Sequence, residues 1–327
     1  MHFFSFIHFY SALCAFLCSC LFGLAESDVD AYRPSSVRNA LVPGFDKEGR
    51  LAWELRAAEV SPLPDKLYKT AKPFLKFFDR TGVRMEAKST SGIFNLRDGL
   101  ASGDNYLFVE GIGFTARGKS WKWSQEVDVG SHQMVFGQDG KVSFNTDLRK
   151  FFPESESIGA GGCPVRSVSE EPKKNLTIAE AEMIEFLAVN ERIHHFFLEG
   201  NVSVQSSELL LTSERMKVVF EKEDNSSSDD IGQISLITAF GEVKLSQSGR
   251  TSFCDSLSMD VLKNEVLLEG KPARVVDEEW GAAVGNQIIL EKGERRARVL
   301  GGESGGKPRL ELPPIPSLGF ERKGKRL

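Results

Sequence analysis

From Leu236 to Val276 the chain is a string of short runs in which apolar and polar residues alternate, punctuated by glycines, and this period of two constrains the fold more than any other feature. Val243 and Leu245 fall on one side while Glu242 and Lys244 fall on the other; Leu257, Met259 and Val261 alternate with Ser258 and Asp260. Such alternation marks strands with one apolar and one wet face. Turns are expected at Gly241, at Ser248 and Gly249, at Lys263 and Asn264, and at Gly270, which makes the strands about five to eight residues long. The same phrase recurs as FLEGNVSVQS at Phe197, AFGEVKLSQS at Ala239, LLEGKPARVV at Leu267 and VEGIGFTARG at Val109. A repeated, glycine-entered strand predicts one supersecondary unit stacked on itself, each copy covering the apolar face of the last.

Residues 37–152 form a first expected domain. FDKEGRLAWELRAAEVSP opens it with Leu51, Trp53 and Leu55 alternating against Ala52, Glu54 and Arg56. MEAKSTSGIFNLRDG, NYLFVEGIGFTARGKSWKWS and HQMVFGQDGKVSFN follow, with turns expected at Asp98-Gly99, Arg117-Gly118 and Asp139-Gly140, because Asp-Gly between alternating runs is a strong hairpin signal. Residues 153–174, rich in Glu, Ser, Gly and Pro, read as a linker. A second domain spans 175–302, broken by the acidic stretch EKEDNSSSDDIG at 221–232, and a basic flexible tail occupies 303–327. One segment, Ile178 to Ile193, has the composition of a helix; its place between β repeats makes two strands the expectation.

Ahead of these, Phe3 to Leu24 is apolar apart from a few Ser and His residues. About 17–25 such residues cross a bilayer, Gly23, Leu24 and Ala25 offer a cleavage site, and Leu17 to Cys20 is a loose lipobox. Residues 1–25 are thus a signal peptide, a lipidated leader or a retained anchor at 3–24, and each form exports the rest. Outside this segment only Cys163 and Cys254 remain, so a disulfide is permitted and not required. The net charge of −5 argues against a nucleic-acid partner.

No catalytic constellation emerges. Acidic residues are plentiful but not arranged as a glycosidase pair. His194 and His195, being adjacent on a strand, would face opposite sides and could not share a metal. The N-x-[ST] matches at Asn175, Asn201 and Asn225 matter only in a glycosylating host. The expectation is a protein that is not an enzyme and uses neither cofactor nor metal.

LTIAEAEMIEF, FLEGNVSVQSSELLLTSERMKVVFE, the stretch from LITAFGEVKLSQ to LEGKPARVV, and VGNQIILEKGERRARVLGG resemble, in that order, the OstA-like jellyroll of the LptA family of periplasmic lipopolysaccharide-transport proteins. FDKEGRLAWELRAAEVSP followed by AKSTSGIFNLRDGLASGDNYLFVEGIGF is similar to the LptC family of the same system. The resemblance implies an all-β chain: two OstA-like β-jellyroll domains of short antiparallel strands after an N-terminal targeting or anchor segment. It also implies a periplasmic bridge that binds lipopolysaccharide acyl chains and passes them from inner to outer membrane. Its partners would be lipopolysaccharide, an inner-membrane ATP-driven transporter and an outer-membrane translocon, with head-to-tail self-association through strand edges. The chain has no GxxxxGK[ST] loop of its own. The acidic stretch at 221–232 is an insertion relative to the family pattern.

Strand parity proposes the groove: Trp53, Leu55, Phe94, Phe108, Phe114, Val202, Val204, Leu211, Met216, Val218, Phe220, Val243, Leu245, Leu257, Met259 and Val261. Apolar alternation reports burial of any kind, so an exported structural or adhesive β-repeat protein with a filled core and no lipid is the competing reading.

Overall fold

The alternating runs build antiparallel strands throughout. The structure is a computed structural model that describes residues 36–311 except 80–81, 127–130, 147, 149–175, 191, 208, 223–230, 248, 279–280, 292–295 and 302–306. The targeting segment, the linker with Cys163, most of the acidic stretch and the basic tail apart from 307–311 therefore lie outside the described residues. The described residues form 20 strands. The first part contains β1 (Val37–Phe45), β2 (Leu51–Pro62), β3 (Tyr68–Ala71), β4 (Phe74–Asp79), β5 (Gly82–Ser89) and β6 (Ser91–Asn95). It continues with β7 (Leu100–Gly103), β8 (Leu107–Gly111), β9 (Phe114–Glu126) and β10 (Ser131–Phe144). Then come β11 (Thr177–Ala181), β12 (Met183–Ala188), β13 (Ile193–Ser206), β14 (Leu209–Glu221) and β15 (Gln233–Gln247). The last are β16 (Arg250–Asp260), β17 (Glu265–Asp277), β18 (Gly281–Glu291), β19 (Arg296–Leu300) and β20 (Arg309–Glu311).

Many strands are longer than expected because several glycines read as turns lie inside them. β15 runs 15 residues straight through Gly241, and β17 runs 13 residues through Gly270. Arg117-Gly118 lies within β9, and Asp139-Gly140 lies within β10. At each of these places the ladder shifts register: between Gln138 and Lys141, Glu199 and Val202, Phe240 and Val243, and Glu269 and Ala273. In the copies at Phe197, Ala239 and Leu267 the repeated phrase is thus a corner within one strand, whereas the copy at Val109 closes the hairpin between β8 and β9 at Gly111 and Phe114. Gly200 and Asn201 have φ of +79° and +47°, and Gly241 and Glu242 have +79° and +44°, a left-handed pair that bends the strand as a bulge does. Asp98-Gly99, Lys263-Asn264 and the link from Gln247 to Arg250 do close hairpins.

Gly241→Ala is accordingly expected to lower unfolding free energy by about 1–2 kcal/mol, the cost of left-handed backbone for an L residue. Its new methyl would also meet the Glu214 carboxylate, which can swing away. Urea denaturation measures this; an unchanged midpoint would mean that the corner tolerates a side chain.

Because each long strand bends, the ladder divides into two half-sheets. One contains the first half of β2, then β4, β5, β8, the first half of β9, the second half of β10, and β11. It goes on through Ser203–Ser206 of β13, Leu209–Thr212 of β14 and the matching parts of β15 to β18, ending on β20. The other runs from the second half of β2 through β3, β6, β7, Trp121–Glu126 of β9, Ser131–Phe136 of β10 and β12. It proceeds through the remaining halves of β13 to β18 to β19.

The inner faces meet. Phe114 lies 5.2 Å from both Phe186 and Phe196 across the gap, and Phe144 lies 4.9 Å from Phe196 and 5.2 Å from Phe220. Aligned packing of this kind makes a sandwich, here with two leaves folded from one set of strands. β10 pairs directly with β11 and β12, so the ladder runs without a break from the first part of the chain into the second.

The helix-like segment is two strands, β11 and β12, meeting at the Glu182 corner. Pairing on both sides, with β10 and β13, overrides its propensity.

Candidate functional site

The candidate site is the inner face between the leaves. Of the residues that parity assigned to it, all but Phe108 and Val261 are buried. Val261 lies just past the end of β16 and packs on the core from one side. Phe108 is a correction: it is 53% exposed, while its neighbours Leu107 and Val109 point inward. Leu-Phe-Val has no alternation to set parity, and pairing of Val109 with Ala87 and Ala116 decides it. Leu51, expected to face inward with Trp53, is exposed because the ladder slips a residue at Gly44 and Phe45.

Parity also passed over residues that contribute much of the interior. Trp121, Trp123, Phe136, Phe144, Phe186 and Phe196 are all buried on the inner face. The i, i+2 spacing of Trp121 and Trp123 in SWKWS was a legible sign.

The interior changes character along its length. Towards β1, Trp53 meets Trp123 edge-on at 5.7 Å, and His132 lies between Phe77 at 5.2 Å and Trp123 at 6.2 Å. Burial pushes the His132 imidazole down to about 4. The indole N–H groups of Trp121 and Trp123 and the His132 Nδ1 are covered and have no hydrogen-bond partner among the described residues, an arrangement that costs free energy. Towards β18 the lining is aliphatic: Leu268, Ile237, Ala239 and Ile288 are fully covered. Cys254 sits on this face, its thiol pushed up to about 12 by burial first and by Asp255 second, which makes it inert as a nucleophile.

Opposite the corner the two rims of the sandwich approach each other. The Trp53 Nε1 donates to the Gln125 Oε1 at 2.7 Å, tying one leaf to the other. Ile231, just before β15, reaches over the β8–β9 turn, where a Cβ on Gly113 would lie 3.0 Å from its Cγ2. Among the described residues the strands at either end leave free edges: β1 pairs only with β2, and β19 and β20 pair only with β18. Val37, Leu41 and Phe45 stand exposed on β1, and Leu310 on β20.

His194 and His195 do face opposite ways, one stacked on Phe186 inside and the other edge-on to Phe197 outside. Among the described residues no group of acidic, His or Cys side chains is placed to hold a metal, and no helix is long and apolar enough to cross a membrane. Two open grooves mark the exterior. One of about 640 Å³ is lined by Tyr106, Arg117, Lys141, Glu180 and Asn201 among others; one of about 320 Å³ lies near Leu210 and Arg250.

Neither a protein-family model nor a curated relative matches the chain. A solved structure from Pseudomonas aeruginosa, LptH, described as the LptA-homologous periplasmic component of the conserved lipopolysaccharide transport device, is similar to 37% of this chain over 85% of its own length. The identity is 16% and the TM-score 0.29.

Proposed function

We propose that this chain is a passive element of a periplasmic lipopolysaccharide bridge, in which acyl chains travel between the two leaves while the saccharide stays in water. The observation that carries the reading is the apolar inner face continuous from Trp53 to Ile288 on a single ladder with a free strand edge at each end. The ordered resemblance of the two sequence halves to the LptC and LptA families supplies the cargo. Each methylene moved from water into such an interior is worth about 0.8 kcal/mol, so a long acyl chain gains several kcal/mol gross on entry. Side chains fill the gap between leaves around Phe196, so entry there requires the rims to part. Free edges suit head-to-tail addition of like modules, which would connect the chain to an ATP-driven transporter on one side and a translocon on the other.

The close filling around Phe196, fully covered with four phenyl neighbours, favours the second reading, a structural β-repeat protein. Photocrosslinking separates the two. Photoreactive residues at Val204, Val218 and Met259, all inward and buried, are expected to give lipopolysaccharide adducts in cells. Residues at Ser203, Lys217 and Asp260, on the outer faces, are expected to give none. Adducts at neither set, in a folded and exported protein, would end the lipid reading.

A further inference from the structure

Strand register aligns, on the outer face of the half-sheet that contains β4 and β8, residues far apart in sequence. Leu41 lies opposite Arg56, Arg56 opposite Phe74, Phe74 opposite Lys88, Lys88 opposite Phe108, and Phe108 opposite Arg117. Lys141 and Glu180 continue the row. Past Ser203 and Thr212 it resumes with Lys244, Phe253, Arg274, Val284 and Arg309. Glu180 is its only carboxylate, in a chain whose net charge is −5.

Part of this charge is uncommitted. Arg56, Lys88 and Lys141 have carboxylate partners in Glu54, Glu86 and Glu180. Arg117, Lys244, Arg274 and Arg309 form no ion pair among the described residues. The aromatic rings are exposed or half-exposed, and Lys88 and Lys244 lie 5.0 Å and 5.8 Å from the Phe74 and Phe253 centroids. Midway, the row passes through the groove of about 640 Å³, where Arg117, Lys141 and Glu180 stand beside Tyr106. Tyr106 is held there by its hydroxyl, which donates to Asp139 at 3.1 Å, and by Lys119 over its ring at 4.8 Å.

We propose that this row is a binding track for a linear anionic glycan, with sugar rings lying on Phe74, Phe108 and Phe253 and acidic groups met by Arg117, Lys244 and Arg274. Strands are spaced about 4.8 Å apart, close to the rise of one sugar in an extended glycan. On β2, β5 and β9, and again on β15 and β17, cations occupy alternate strands with apolar residues between them. That rhythm suits one charge per disaccharide. A nucleic-acid strand carries a phosphate about every 3.4 Å, closer than the cations of the row are spaced, and the flanking row of Glu54, Lys76, Glu86 and Glu110 sets three carboxylates against one lysine. A flat membrane fits no better, because twist of about 20–25° per strand turns the row through about a quarter turn in four or five strands. A flexible chain can follow it. The track lies on the outside of its leaf and does not depend on lipid inside.

Hyaluronan oligosaccharides, with one carboxylate per disaccharide, are the probe. Calorimetry on the full chain is expected to show binding that weakens with salt and falls at least about tenfold in an Arg117→Ala, Lys244→Ala, Arg274→Ala variant. Lys122→Ala with Lys217→Ala, on the outer face of the other half-sheet, should leave it unchanged, and equal urea midpoints certify the fold of both variants. Neutral maltooligosaccharides should not bind. The proposal is overturned by no hyaluronan binding, by an equal loss in the control variant, by tighter binding to a single-stranded oligonucleotide, or by binding to phosphatidylglycerol vesicles alone.

Discussion

Phe196→Ala is expected to reduce unfolding free energy by about 3–5 kcal/mol, the range for deleting a buried phenyl from a packed core. Phe196 is fully covered and touches Phe114 and Phe144 on the facing leaf and Phe186 and Phe220 on its own. Each edge-on or tilted ring pair adds about 0.5–1.5 kcal/mol beyond burial, so the loss should lie toward the upper end. Urea unfolding would show it as a lower midpoint with an unchanged slope. A loss below about 1 kcal/mol would mean that the leaves are not packed together at this point. The same variant reports on cargo: a ligand that binds only the folded state raises stability by mass action. A long-chain amphiphile that enters between the leaves should restore part of the loss, whereas the structural β-repeat reading expects no rescue.

Faces were easier to read from the sequence than lengths or connections. Alternation placed Trp53, Val204, Val218, Val243 and Met259 inward, and the structure buries them all. It failed at Phe108, where three apolar residues in succession leave parity to be set by strand partners. Glycine misled more broadly. Gly241 and Gly270 carry the signature of a turn, yet the chain continues in the same ladder beyond each. The positive φ of Gly241 serves a bulge as well as a hairpin, and only the register of the neighbouring strand tells them apart. The pairing of β10 with β11 and β12 left no local trace, nor did the row from Leu41 to Arg309, because each joins residues that only register brings side by side. The proposed lipid cargo comes from the resemblance alone, since alternating apolar residues describe a core and a groove in the same terms.

Acid is expected to weaken the end of the sandwich nearest β1 through His132. Burial holds its folded pKa at about 4, below the ordinary value of 6.5. Between those values the unfolded chain binds the proton and the folded chain does not, so stability rises with pH. The contribution is fully present above about pH 6.5 and is lost as pH falls towards 4. At 1.36 kcal/mol per unit the span is at most about 3 kcal/mol. The His132 residue is only partly covered as a whole, so water lowers the expected loss to about 2–3 kcal/mol. His195, also shifted downward by burial and by Lys217, adds with the same sign. Asp139 and Asp260, held low mainly by Lys119 and Lys263, act only below their ordinary value of 3.8. A window from pH 7 to 4.5 therefore isolates the histidines. Urea unfolding across that window should show a stability slope that His132→Leu flattens and His195→Gln barely changes. An imidazole titration placing His132 above about 6 in the folded protein would refute the assignment. Physically, a charged imidazole between Phe77 and Trp123 would have to reach water, and doing so would disturb the ring contacts at 5.2 Å and 6.2 Å that hold it.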